Sequence, residues 1–198
     1  MKNKYLLLGI AYFAFIMLGM NASILNIAWE YMRETFNLEL GSLGIILAAG
    51  TIGYMTGAFI NGRLLAELGS VGKLLVVGAL LTLAGLAGYT FAPSWLVLLL
   101  VAFIASMGGG IIDAGLNTFL SANYGVVAMN WLHACFGIGA TIAPLLVTFT
   151  VETLDQSWRT SYATLLGLQI IVIILLLLTL SQWSIRKQQS PDGAAQEI

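Results

Sequence analysis

Charge is what this sequence most conspicuously lacks. Only 9% of its 198 residues are Asp, Glu, Lys or Arg, where a soluble domain carries roughly 25%. So few ionisable groups cannot coat a fold in water, which excludes an ordinary soluble enzyme or carrier. Neither sign is in excess: eight basic and nine acidic residues leave a net charge of −1. No field therefore draws the chain to nucleic acid, which is not expected as a partner. Cysteine occurs once, as Cys135, and a lone thiol forms no internal disulfide. The single histidine, His133, sits two residues from it, a poor set of metal ligands. No serine stands on an elbow that would complete a hydrolytic triad, so neither a metal, a cofactor nor an enzymatic activity is expected. Proline is down to three residues, which leaves long stretches without a helix breaker.

What fills the chain is apolar: 59% hydrophobic residues and a mean hydropathy of +0.93. A membrane span needs about 20 such residues, and six segments qualify, at roughly 5–30, 43–66, 72–92, 95–121, 128–150 and 158–182. The expected fold is all-α: a polytopic bundle of six transmembrane helices over 1–182 in a lipid bilayer, with a polar tail at 183–198. The start imitates a secretory signal, but Met20 and Asn21 before Ala22 do not make a cleavage site, so it reads as a retained first span. Positive residues set the orientation. With the N-terminus inside, Lys2, Lys4, Arg63, Lys73, Arg186 and Lys187 are cytoplasmic, and only Arg33 and Arg159 lie outside. Both termini are then cytoplasmic, and a bacterial inner membrane is the expected location. Spans 1–3 and 4–6 form two blocks of nearly equal length, which suggests a three-plus-three inverted repeat.

Polar residues are shared unevenly among the spans. The first carries Asn21, Ser23 and Asn26; the fourth Ser106, Asp113, Asn117, Thr118 and Ser121; the fifth Asn130, His133, Cys135 and Thr141. The third and sixth carry little and read as lipid-facing, while the first, fourth and fifth surround something wet. Asp113, Asn117 and Ser121 recur every four residues and share one helix face. An intramembrane carboxylate is costly to ionise, which suits a group that takes up and releases a proton or holds a hard cation such as Na⁺. A short turn near Tyr124 would pair spans 4 and 5, with Asp113 level with His133 and Asn117 near Asn130. Gly53 and Gly57 in span 2, and Gly137, Gly139 and Ala143 in span 5, suit close helix contacts.

The stretches "DAGLN" (113–117) and "MNWLHACFGIGATIAPLL" (129–146) resemble the fourth and fifth helices of fucose–proton symporters and the sodium-dependent glucose transporter group. The six spans together, about 5–182, resemble the N-terminal half of a major facilitator superfamily transporter. In that fold helices 1 and 4 line a central cavity, 2 and 5 flank the other half, and 3 and 6 face lipid. The resemblance implies that Asp113 is the coupling carboxylate, with Asn117, Asn130 and His133 helping to bind sugar or cation. Asn21, Ser23 and Asn26 are the candidates on the first helix. Asn26 stands where the fucose symporters carry an acidic residue, leaving Asp113 the sole intramembrane acid. The superfamily's loop signature is only partly kept in "GRLLAELGSVGK" (62–73), and no arginine in helix 4 marks a drug antiporter.

These readings converge on a half-size secondary transporter that moves a small polar solute, a sugar above all, by H⁺- or Na⁺-coupled alternating access. A homodimer through helices 2 and 5 is expected to complete it, with Phe15, Trp29 and Trp131 as candidate stacking platforms. The competing expectations are a non-transporting membrane scaffold and one half of a heterodimeric transporter.

Overall fold

The computed structural model describes residues 2–184. Six helices in it are long and apolar enough to cross a membrane: α1 (Lys2–Phe36), α2 (Ser42–Leu68), α3 (Val71–Phe91), α4 (Trp95–Asn123), α5 (Val126–Thr148) and α6 (Trp158–Leu178). A π-helical turn (Phe149–Thr153) extends α5 and a 3₁₀ turn (Leu180–Gln182) follows α6. No strand occurs among the described residues. The protein is an integral, all-helical membrane protein.

Local chemistry sets the helix ends. α1 runs six residues beyond the expected 30 because its polar end is a good helix in water: Arg33 Nε donates to Glu30 Oε2 one turn back at 2.9 Å. Asn37, at φ 55°, then turns the chain out of the helix. Gly69, at φ 64°, does the same after α2, and its N–H bonds to Leu65 O. Ala92 and Pro93 end α3.

Interhelical pairing is where the structure departs most from expectation. The short 4–5 turn does not make α4 and α5 close partners. Instead α2 packs along α4, α5 packs along α1, and α3 bridges α4 and α6. The middle helix of each three-helix repeat thus crosses to the first helix of the other. Glycines make this possible: a Cβ on Gly53 or Gly57 would run into the carbonyl oxygens of Phe103 or Met107. The contact has a counterpart in the other repeat, where Gly139 of α5 lies against the Ile16 carbonyl of α1 and Gly19 against that of Phe136. The exchange of α1 with α4 and α2 with α5 is that of an inverted repeat.

One expectation is corrected here. Gly53, Gly57 and Gly139 serve packing inside the chain and so supply no groove for a second subunit; only Gly137 has open space beside it. The two faces of α3 and α6 differ. Their outer faces are apolar (Leu80, Ile170, Ile174, Leu178), but their inner faces are tied together where Gln169 Nε2 donates to Ala79 O at 3.1 Å. The least buried helices are α2 and α5.

The bundle is pinned at both ends. Arg159, one of the two basic residues on the expected outer side, reaches the open C-terminus of α3, donating to Thr90 O at 3.0 Å and Ala92 O at 2.8 Å. Its guanidinium lies over the Trp158 ring at 4.5 Å. Cations suit a helix C-terminus, and a hydrogen bond to a charged group contributes about 1.5–3 kcal/mol. Arg159→Ala should therefore lower the Tm of the detergent-solubilised protein by several degrees. Arg159→Lys should restore less than half of the loss, because an ammonium cannot fork across two carbonyls. An unchanged Tm in Arg159→Ala would contradict this role. At the other end Trp183, placed in the tail by sequence, is buried against Phe119 with ring centroids 4.8 Å apart. The rest of that expected tail, 185–198, lies outside the described residues.

Candidate functional site

Asp113 lies on α4, partly buried, one turn beyond a run of three glycines (Gly108–Gly110) that lets α2 and α3 approach closely. Its carboxylate is bonded on both oxygens. Asn117 Nδ2 donates to Oδ1 at 2.9 Å and to the Asp113 backbone carbonyl at 2.9 Å. The phenol of Tyr54, on α2, donates to Oδ2 at 2.5 Å. Tyr54 is brought there by its neighbours in sequence. Gly53 and Gly57 press α2 onto α4, and a tyrosine between them extends its hydroxyl along the contact. Asn61, two turns further along α2, fixes the same pairing through a buried bond from its Nδ2 to Ile111 O at 2.9 Å. The Tyr54–Asp113 bond thus ties α2 to α4 through side chains as well as through glycine packing.

Beside this cluster is a cavity of about 330 Å³, near the lower end of the roughly 300–1,000 Å³ range of small-molecule sites. Its polar wall is Asn21 from α1, Thr51 and Tyr54 from α2, and Ser106 from α4; Leu18, Leu25, Ile46 and Phe136 supply apolar wall. Tyr89 and Tyr162 close it, their rings stacked at 4.6 Å. The Tyr162 hydroxyl is fully buried and has no hydrogen-bond partner among the described residues.

The residues singled out from sequence separate into three groups. Asp113 and Asn117 form one hydrogen-bonded unit, and Asn21 joins them at the cavity while its Nδ2 bonds back to Met17 O at 2.8 Å. Ser23 is half-buried and bonds only within its own helix, to Gly19 O. Asn26, Asn130 and His133 are exposed; His133 meets the Phe15 ring edge-on at 5.9 Å. Among the described residues no hydrogen bond joins Asp113 to His133 or Asn117 to Asn130, and α5 packs mainly on α1. Of the suggested ring platforms, Phe15 and Trp29 are buried in the core and Trp131 is exposed. Sequence reasoning missed Tyr54 and Tyr162. A tyrosine in a membrane helix ordinarily reads as an interface anchor, and the one signal for Tyr54 was its place between two packing glycines.

Comparison with known proteins agrees with this architecture. The Major Facilitator Superfamily description matches residues 11–197. The chain is similar to the mouse sodium-dependent glucose transporter 1A, 30% identical over 140 residues, covering 68% of this chain and 32% of that protein. It is 29% identical over 136 residues to the human sodium-dependent glucose transporter 1, covering 67% of this chain and 26% of that protein. Likeness to the glucose/mannose transporter GlcP of Bacillus subtilis is 23% over 134 residues, covering 67% of this chain and 33% of the relative. The matched region thus spans about a third or less of these relatives.

Proposed function

The chain belongs to the Major Facilitator Superfamily, and on that premise we propose that its six-helix unit moves a sugar-like solute across the membrane by alternating access. The observation that carries this reading is the contiguity of cavity and carboxylate: Tyr54 lines the one and bonds to the other. Asn21, Thr51, Tyr54 and Ser106 offer groups that both donate and accept, between apolar and aromatic walls, as a ring of hydroxyls requires. The names of the mouse and Bacillus relatives support a sugar.

Asp113 is the coupling group, and a proton is the coupling ion favoured by its surroundings. Both carboxylate oxygens face O–H or N–H donors, whereas a hard metal cation needs several oxygen ligands around it. Sodium, in the names of the mammalian relatives, is the second reading. The unit works as a homodimer with its two-fold along the membrane normal, which leaves both subunits in one orientation. The bare faces of α2 and α5 form the contact, and Asn26, Asn130 and His133 face the shared space. It resides in a bacterial inner membrane with both termini in the cytoplasm, where positive residues retain a segment.

Uptake of a labelled sugar panel into proteoliposomes tests the function. Accumulation of D-glucose or D-mannose under an inward proton gradient is expected; an inward Na⁺ gradient alone driving it would reassign the ion. No uptake of any sugar under either gradient would leave the scaffold reading. For the dimer, single cysteines at Phe59 or Ile138, both exposed, in a chain with Cys135→Ser, should crosslink between subunits in membranes. Crosslinking from Leu80 on α3 but from neither of these would overturn the interface.

A further inference from the structure

We propose that Tyr54 is a positioning residue that reports the protonation of Asp113 to the solute cavity by reversing the direction of their shared hydrogen bond. The inference rests on the cavity being the solute site. An ionised carboxylate only accepts hydrogen bonds, and a phenol has a single O–H to give. With Asp113 ionised, that O–H is committed to Oδ2 at 2.5 Å, while Asn117 covers Oδ1. A proton arriving from water must reside on one of these oxygens. On Oδ1 it would confront the Asn117 N–H, a donor facing a donor. On Oδ2 it faces the phenol oxygen, which has lone pairs to accept it. Neutral Asp113 therefore donates to Tyr54, and the phenol O–H is displaced and turns about its C–O bond toward the cavity that Tyr54 lines. There it donates to a solute oxygen. No charge forms on the phenol, and one proton is bound per event.

The surroundings leave Tyr54 as the element that responds. On the helices packed against α4 the other charged or titratable side chains are Arg63 and Glu67 of α2, which bond to each other at 2.9 Å, and Lys73 and Tyr89 of α3. α5 brings His133 and Cys135, and α1 brings Tyr12, whose hydroxyl donates to Ala128 O, with no charged residue between Lys4 and Glu30. Among the described residues only Tyr54 and Asn117 hydrogen-bond to the Asp113 carboxylate. By reciprocity, a solute that favours the displaced phenol also favours the protonated carboxyl.

Calorimetric binding of D-glucose to the purified protein across pH, joined to infrared spectroscopy of the Asp113 carboxyl C=O band, tests this. The band is identified by its loss in Asp113→Asn. In the native protein, affinity should fall about tenfold, the worth of one hydrogen bond, as Asp113 ionises, and D-glucose should shift the band. Tyr54→Phe, which keeps the ring, should bind D-glucose weakly and to the same extent at every pH, with a band that D-glucose no longer moves. Asp113→Asn, whose amide donates to the phenol as a neutral carboxyl would, should bind tightly at every pH. A Tyr54→Phe protein that keeps the pH dependence and the glucose-induced band shift overturns the relay alone. If D-glucose binds the native protein and leaves the band unmoved, the relay likewise falls while the solute site stands. If D-glucose does not bind at all, both fall.

Discussion

Asp113→Asn should abolish uphill accumulation of sugar in proteoliposomes while leaving sugar exchange between the two sides. The amide has the carboxylate's shape and can still bond to Tyr54 and Asn117, so the α2–α4 contact survives. What is lost is titration. Accumulation ratio should drop from well above one to about one, whereas counterflow of preloaded sugar should persist within a few-fold of the native rate. The effect is complete because Asp113 is the only Asp or Glu between Glu67 and Glu152, and no neighbouring acid stands in for it. An Asp113→Asn protein that still concentrates sugar under a proton gradient would show the residue to be structural.

Gly139→Val should prevent the bundle from assembling, and Gly137→Val should not. The two positions are two residues apart on α5, yet a Cβ at 139 meets the Ile16 backbone carbonyl of α1 and one at 137 meets nothing. Ordinary overpacking costs typically 1–3 kcal/mol. Here the obstacle is backbone on a neighbouring helix, so the whole α1–α5 contact must open. A penalty above about 3 kcal/mol is expected, a large part of a total stability of about 5–15 kcal/mol. Size-exclusion chromatography in mild detergent should show aggregate or no recoverable protein for Gly139→Val, and a native peak for Gly137→Val. Equal behaviour of the two would contradict the α1–α5 packing.

Spans, their number and the Asp113–Asn117 stripe were legible in the sequence because they depend on local properties: apolar length and a four-residue period. The polar census pointed to α1, α4 and α5 around a wet space; Asn21 and Ser106 line the cavity, but α5 adds only Phe136 and the polar groups of α2 were not foreseen. Helix partners were not legible. A short 4–5 turn favours neighbours in sequence, but the glycines at 53, 57 and 139 favour whatever backbone can come close, and that choice is made in three dimensions. Reading those glycines as an intersubunit surface follows from the same gap, since a small-residue stripe does not say which helix will occupy it. Tyr54 was obscured for a related reason. Its hydroxyl gains meaning only when α2 lies on α4, and nothing local to "GYMTG" (53–57) specifies that. Tyr162 was obscured likewise, since its ring gains meaning only when α6 brings it against Tyr89 at the cavity.

The coupling of sugar and proton through Asp113 is tested most directly by sugar-driven proton movement. Proteoliposomes holding the protein, with no imposed gradient and lightly buffered outside, receive a pulse of D-glucose while external pH is recorded. The account predicts alkalinisation of the medium as protons enter with the sugar, abolished by a protonophore and absent in Asp113→Asn. D-glucose entering the native proteoliposomes with no change in external pH would contradict it.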